Sequence, residues 1–257
     1  MVPMNRPAHF VLLRGLWREA RHWGEFPGHL QQQFPGALIS TPDIPGNGLR
    51  NQEISPDTIA GMTDALRQQV NLSQPVRLIA LSMGGMIAID WMTRYPAEIE
   101  AAVLINTSAR PLSPFYHRLR WTAYPFALPM IFRSATQREA DILRLTSNRH
   151  PHDTKLLESW QQWQRQNPVL PVSARNQLLA AMKFSVIVKP QQPLLVVTSR
   201  ADRLVDYRCS RKLAQIWNAD YVEHESAGHD LPLDESEWLV QIIRRWFDLG
   251  IDIQIWK

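Results

Sequence analysis

Cysteine is almost absent from this 257-residue chain. Cys209 stands alone, which excludes an intrachain disulfide. No Cys/His cluster has the spacing of a structural zinc site. His150-Pro151-His152 sets two imidazoles close together without further ligands nearby, so it reads as a polar loop and no metal site is expected. Neither G-x-x-x-x-G-K-[ST] nor G-x-G-x-x-G occurs, so nothing supports a glycine loop cradling phosphate. No window nears the roughly 18 apolar residues that a membrane span needs. The stretch Met1 to Pro7 has no apolar core, and the first apolar run, Phe10 to Leu13, ends at Arg14. That is too short for a secretory signal, and a cytoplasmic location is the expectation.

What is present argues for a sizeable core. Apolar residues make up 45% of the chain, with ten tryptophans among them. That suffices for one α/β domain with an insertion, or for two small domains. Apolar strands are expected at Ala8 to Leu13, Ala37 to Ser40, Val76 to Leu81, Ala101 to Ile105, Leu194 to Thr198 and Tyr221 to His224. Helical patterns alternate with them: Trp23 to Gln33, one opened by Ser55-Pro56 as cap and first-turn proline, one from Met86, Tyr207 to Trp217, and Glu235 to Phe247. This alternation predicts a doubly wound, mostly parallel sheet covered on both faces. Ser113 to Gln192 breaks the rhythm and reads as an inserted helical cap. The domains are therefore expected as a core over 1–112 and 193–257, with the cap over 113–192.

One short stretch carries the chemistry. In Ala80-Leu81-Ser82-Met83-Gly84 a buried strand breaks at a serine with small residues two before and two after. This is the pattern of a nucleophile elbow, with Ala80 where the usual form has glycine. A serine hydroxyl needs a base, and the base needs an orienting acid. In a doubly wound sheet the loops after the strands converge on one crevice. Asp202 follows the fifth strand and is the favoured acid. Asp206 is the second candidate, with helix capping as its simpler role. His229 lies in Gly228-His229-Asp230, after the last strand. His224 lies within that strand and is the weaker base. Two backbone N–H donors are expected for an oxyanion, one from Met83 and one from the loop Arg14-Gly15-Leu16-Trp17, at Leu16.

Four motifs jointly resemble a capped α/β-hydrolase of the serine esterase type. They are Leu13-Arg14-Gly15 with Trp23, Asp43-Ile-Pro-Gly-Asn-Gly48, the elbow at Ser82, and Asp202 with Gly228-His229-Asp230. The resemblance spans nearly all the chain outside 113–192. It implies a Ser82–His229–Asp202 triad and no cofactor. Serine at position 82 disfavours the epoxide hydrolases and haloalkane dehalogenases, whose nucleophile is aspartate. Cofactor-free haloperoxidase and C–C hydrolase chemistry would keep the same triad. Arg14 departs from the usual His-Gly. It either holds loop carbonyls in place of a structural histidine or sets a cation beside the oxyanion hole for a substrate carboxylate. Arg14 and Trp17 are thus the expected substrate contacts.

Charge is unevenly placed. The whole chain is +4, and 113–192 holds eight Arg and three Lys against two Asp and two Glu, which is +7. The other residues therefore sum to −3. Arg118, Arg120, Arg133, Arg138, Arg144 and Arg149 supply much of the excess. Either this is a solvated basic surface, or it recruits an anionic substrate or an acidic carrier protein. Nucleic acid is disfavoured because no binding motif accompanies the charge. Phe115, Tyr116, Trp121, Tyr124, Phe126, Trp160 and Trp163 are expected to pack on the core or line an acyl pocket. Three functions follow: a hydrolase of small carboxylic esters, a thioesterase or esterase acting on a carrier-borne acyl group, or a non-catalytic ligand-binding homologue.

Overall fold

The computed structural model describes residues 7–127, 133–186 and 188–249. Six strands form one sheet in the order β2-β1-β3-β4-β5-β6. They are β1 (His9–Leu13), β2 (Leu38–Ser40), β3 (Val76–Leu81), β4 (Ile99–Ile105), β5 (Leu194–Ser199) and β6 (Asp220–His224), and every pairing is parallel. The helices are α1 (Phe26–Gln33), α2 (Ile59–Arg67), α3 (Met83–Arg94), α4 (Phe115–Arg118), α5 (Tyr124–Ala127), α6 (Ala135–Thr146), α7 (Thr154–Gln166), α8 (Pro171–Lys183), α9 (Arg208–Trp217), α10 (Leu231–Asp234) and α11 (Ser236–Leu249).

Parallel strands buried on both sides need apolar residues at successive positions, and the two faces divide them. Val11 and Leu13 of β1 point to the same side as Leu78, Ala80, Leu104 and Val196, where Met62 and Leu66 of α2, Ile87 and Trp91 of α3 and Leu213 of α9 cover them. Phe10 and Leu12 pack on the other side with Ile79, Val103 and Val197, under Phe26 and Leu30 of α1 and Leu239, Ile243 and Trp246 of α11. The doubly wound sheet expected from the alternation is therefore present. No helix among the described residues is long and apolar enough to cross a membrane.

Two boundaries differ from expectation for local reasons. The first helix is not continuous from Trp23. A 3₁₀ turn (Ala20–Trp23) ends at Gly24, whose φ of 55° a larger residue rarely adopts, and α1 starts afresh with Pro27 in its first turn. The second helix does not open at Ser55-Pro56. Thr58 caps it by accepting from the Gly61 N–H at 3.2 Å. Ser55 is buried instead, and its hydroxyl donates to the Pro45 carbonyl.

Helices α4 to α8 lie between β4 and β5, and their bonds run to loops at the C-terminal edge of the sheet. The Trp17 N–H donates to Gln177 Oε1 at 3.0 Å and its indole N–H to the Ala174 carbonyl at 3.1 Å. Gln177 Nε2 donates to Asn47 Oδ1 (2.7 Å) and Ser55 Oγ (2.9 Å). Arg18 forms a buried ion pair with Glu139 at 2.7 Å and stacks over Trp160. Of the aromatics expected to pack on the core, Trp160 is buried, whereas Phe115 and Trp121 are 76% and 74% exposed. The Phe126 side chain lies outside the description.

Candidate active site

The end of β3 sets Ser82 in a sparsely populated conformation, φ 58° and ψ −119°. Such a backbone costs of order 1–3 kcal/mol and persists only where its surroundings hold it. Here they do. The Ser82 N–H donates to the Ile105 carbonyl at 2.9 Å, and its carbonyl accepts from Thr107 Oγ1 at 2.8 Å. A Cβ at Gly84 would strike the Leu13 and Arg14 carbonyls, so only glycine lets α3 pass this close to β1. Ala80 is fully buried in the strand, and its methyl does not prevent the turn. Ser82 itself is only half-buried.

Met83 is the first residue of α3, where the backbone N–H groups have no partner within the helix and the helix dipole favours negative charge. Leu16 follows Gly15, and a Cβ at Gly15 would lie 3.1 Å from Ser82 Cβ and 3.5 Å from its Oγ. The loop after β1 therefore runs directly beside the serine. Among the described residues neither the Met83 nor the Leu16 N–H donates to a protein acceptor.

His229 and Asp202 are both buried, and His229 Nδ1 stands 2.7 Å from Asp202 Oδ2. A carboxylate oxygen accepts, so Nδ1 is the donor in this bond, and in the neutral imidazole Nε2 is then the acceptor. The second oxygen, Oδ1, accepts from the Leu204 and Val205 N–H groups at 2.7 and 3.0 Å. Asp202 is thus fixed at both oxygens. Asp206 does not reach this histidine pair. It accepts from the Arg208 N–H at 3.0 Å just ahead of α9 and pairs with the Arg208 side chain. His224 Nδ1 accepts from the Ala227 N–H at 3.0 Å and serves its own turn.

Arg14 is paired within the protein. Its guanidinium is buried and donates to both oxygens of Asp230, at 3.1 and 2.6 Å, over the Trp23 ring. It holds a carboxylate where loop carbonyls were one expectation. Its charge is neutralised within the protein, so it is not a free cation awaiting a substrate carboxylate. Trp17 sits at φ 59° with both N–H groups committed to α8, which leaves only its ring for other contacts. In the loop after β2, Asp43 accepts from the Ala20 and Leu49 N–H groups at 2.8 and 3.1 Å. Burial raises its pKa against the lowering effect of those bonds.

Three residues that the sequence does not place at the site hold it together. Asn106 follows β4 at φ 46°. Its Nδ2 donates to the His229 carbonyl at 2.8 Å, and its Oδ1 accepts from Ser199 N (2.8 Å) and Thr198 Oγ1 (3.0 Å). Asp234 accepts from the Gly228 N–H at 2.7 Å and from Asn148 N at 2.9 Å. Arg120 donates to the Asp202 carbonyl at 2.7 Å. For Asn106 a signal existed: a polar Asn-Thr pair directly after an apolar strand, on the edge where ligands bind in such sheets. Among the described residues no group of three His, Cys, Asp or Glu side chains could hold a metal ion.

Comparison with known proteins bears on the family and the fold. Residues 10–242 match the model of the alpha/beta hydrolase family. A pimeloyl-[acyl-carrier protein] methyl ester esterase of Aromatoleum aromaticum is 31% identical over 105 residues, 41% of this chain and 39% of that protein. The matched stretch thus spans well under half the length of that relative. A thermophilic esterase from Thermogutta terrifontis superposes with a TM-score of 0.72 at 20% identity, covering 93% of this chain and 89% of that one. A serine hydrolase from the hydrocarbon-degrading bacterium Cycloclasticus zankles superposes with a TM-score of 0.76 at 16% identity, covering 96% and 92%. At these identities the structural matches speak to the fold.

Proposed function

This chain belongs to the alpha/beta hydrolase family, and from that premise we propose that it is a hydrolase that cleaves carboxylic esters through an acyl-enzyme on Ser82. The observation that carries the reading is the buried His229–Asp202 pair at 2.7 Å on the sheet edge that also presents Ser82. In this scheme Ser82 Oγ attacks the acyl carbonyl while His229 Nε2 takes its proton. The oxyanion is met by the Met83 and Leu16 N–H groups, and its charge by the N-terminus of α3. The leaving alcohol takes the proton from His229. A water deprotonated by the same nitrogen then releases the acid and restores Ser82. The scheme uses only these side chains, without a metal or organic cofactor. Asp202 orients the imidazole and stabilises its cation. Helices α4 to α8, within 113–192, act as a cap over the site, and Trp17 offers its ring to the substrate. Arg14 acts as a positioning residue. Hydrolysis of p-nitrophenyl esters tests the scheme: Ser82→Ala and His229→Ala should each abolish turnover by several powers of ten while the fold persists. Wild-type turnover in Ser82→Ala would end it.

A second reading, favoured by the basic insertion and by the carrier-linked substrate named for the Aromatoleum relative, is that the acyl group arrives on an acidic carrier protein. The structure narrows which charges would serve. Arg133 is paired with Asp141 and Arg149 with Glu235, whereas Arg144 is exposed with no acidic partner among the described residues. Long-range recruitment is screened by salt, so kcat/KM for a carrier-borne acyl ester should fall as salt rises while that for a small neutral ester barely moves. Equal salt responses would favour the free small ester. A non-catalytic binding module, the third reading, is opposed by the His229–Asp202 pair.

A further inference from the structure

The loop after β5 has two sides. Asp202 turns to His229, while its neighbours Arg200, Ala201 and Arg203 line a separate cavity of about 450 Å³. The opposite wall is Arg120, Thr122, Arg144 and Leu145 from the insertion. Four arginines therefore line one half-open space, and no acidic residue is among its lining residues.

Three of the four have no acidic partner among the described residues, and the fourth shares one. Arg120 donates to the Asp202 carbonyl at 2.7 Å. Arg203 donates to the Ser147 carbonyl at 2.7 Å and also to that of Arg144. Carbonyl oxygens fix these two heads in place but leave their full positive charge. Arg144 is exposed without an acidic partner among the described residues. Arg200 pairs loosely with Glu223 at 3.7 Å beside the Tyr207 ring, and it shares that carboxylate with Arg211, which holds the other oxygen at 2.5 Å. Like charges gathered in a recess repel, and an anion bound there relieves the repulsion.

The donor set selects the anion. Guanidinium forks match the oxygens of phosphate in two-point bonds, and a phosphate monoester brings up to two charges and three free oxygens to share among several arginines. A monocarboxylate offers one charge and two oxygens. The volume lies within the range of small-molecule sites, and Ala201 gives an organic body an apolar surface to touch. We propose that this cavity is a binding site for a phosphate group, free or carried on a small organic molecule, held by Arg120, Arg144, Arg200 and Arg203.

Binding is measured directly by calorimetry on the full chain, so the result does not depend on whether Ser82 is a nucleophile. The probes are inorganic phosphate, phenyl phosphate and, as the carboxylate control, benzoate. The site predicts that phosphate or its ester binds and benzoate binds at least about tenfold more weakly, since each lost charged hydrogen bond is worth about that factor or more. Phenyl phosphate binding more tightly than inorganic phosphate identifies an organic phosphate as the ligand. Equal binding identifies free phosphate. The double variant Arg144→Gln/Arg200→Gln should weaken either by more than tenfold. Both side chains are solvent-accessible, and an unchanged melting curve without ligand confirms that the variant folds. The single reversal Arg144→Glu, at a side chain with no described partner, should abolish binding independently. Absence of phosphate binding in the wild type, equal binding of benzoate, or unchanged affinity in both variants would overturn the proposal.

Discussion

Arg14 and Asp230 meet in a two-point ion pair that ties the loop beside Ser82 to the residue next to His229. Both side chains are 4% exposed. The loop that holds Leu16 and the loop that holds His229 are thereby fixed relative to each other. Removing one member leaves the other as a buried, unpaired charge, which typically costs about 3–5 kcal/mol. Arg14→Met and Asp230→Leu should each lower stability by about that amount in urea denaturation, and the double variant should recover much of it. Activity separates positioning from substrate binding. A positioning role lowers kcat equally for neutral and anionic esters. A selective rise in KM for anionic esters in Arg14→Met would return Arg14 to the substrate.

The two aspartates after β5 should behave oppositely. Asp202→Asn keeps the shape of the His229 partner but removes the charge that stabilises the imidazolium, and a drop in kcat of the order of 10⁴ is expected from the behaviour of such triads. Asp206→Asn loses its pairing with Arg208 at the start of α9 and should leave kcat within a few-fold of wild type. Steady-state kinetics on one neutral ester would decide, and the reverse ranking would move the acid to Asp206.

Asn106 should matter for both stability and rate. Its amide satisfies three buried groups at once, on β5 and on the His229 backbone. Asn106→Ala leaves them unsatisfied, at about 1–3 kcal/mol each where water cannot replace the bond. A lower denaturation midpoint together with a reduced kcat is the expected result. Loss of stability with unchanged kcat would confine Asn106 to the scaffold.

Stability should also depend on pH through His22. Burial, then the charges of Arg18 and Arg14, hold its imidazole well below the ordinary value. At pH above about 6.5 the ring is neutral in both folded and unfolded chains, and its contribution is fully present. As pH falls further, the unfolded chain takes up a proton that the folded one refuses. Stability then drops with a slope of up to about 1.4 kcal/mol per pH unit until the folded ring also protonates. His9 and His224 are lowered too, first by burial, so they add to the same trend. Urea titrations at several pH values should show this slope, and His22→Gln should make it shallower.

These residues also mark how far the sequence could be read. The strands were legible because burial on both faces demands unbroken apolar runs such as Val11-Leu12-Leu13 and Leu194 to Val197. The elbow was legible because a strained turn admits only small neighbours around Ser82. Asp202 and His229 followed from chain order and from lying just after strands. What was illegible depended on contacts between distant segments. Arg14 could not reveal that its partner was Asp230, 216 positions later. Ser55 resembled a helix cap because its hydrogen bonds to Pro45 and Ser173 come from elsewhere in the chain. The basic residues of the insertion could be counted in the sequence. Which of them were already neutralised, as Arg133 and Arg149 are, could not.

The most direct test of the account is where a fluorophosphonate attaches. Intact-mass analysis of the treated protein, followed by peptide mapping, should show a single adduct on Ser82. Labelling should slow by orders of magnitude in His229→Ala and vanish in Ser82→Ala. An unlabelled wild-type protein, or an adduct that maps elsewhere and persists in Ser82→Ala, would contradict the account.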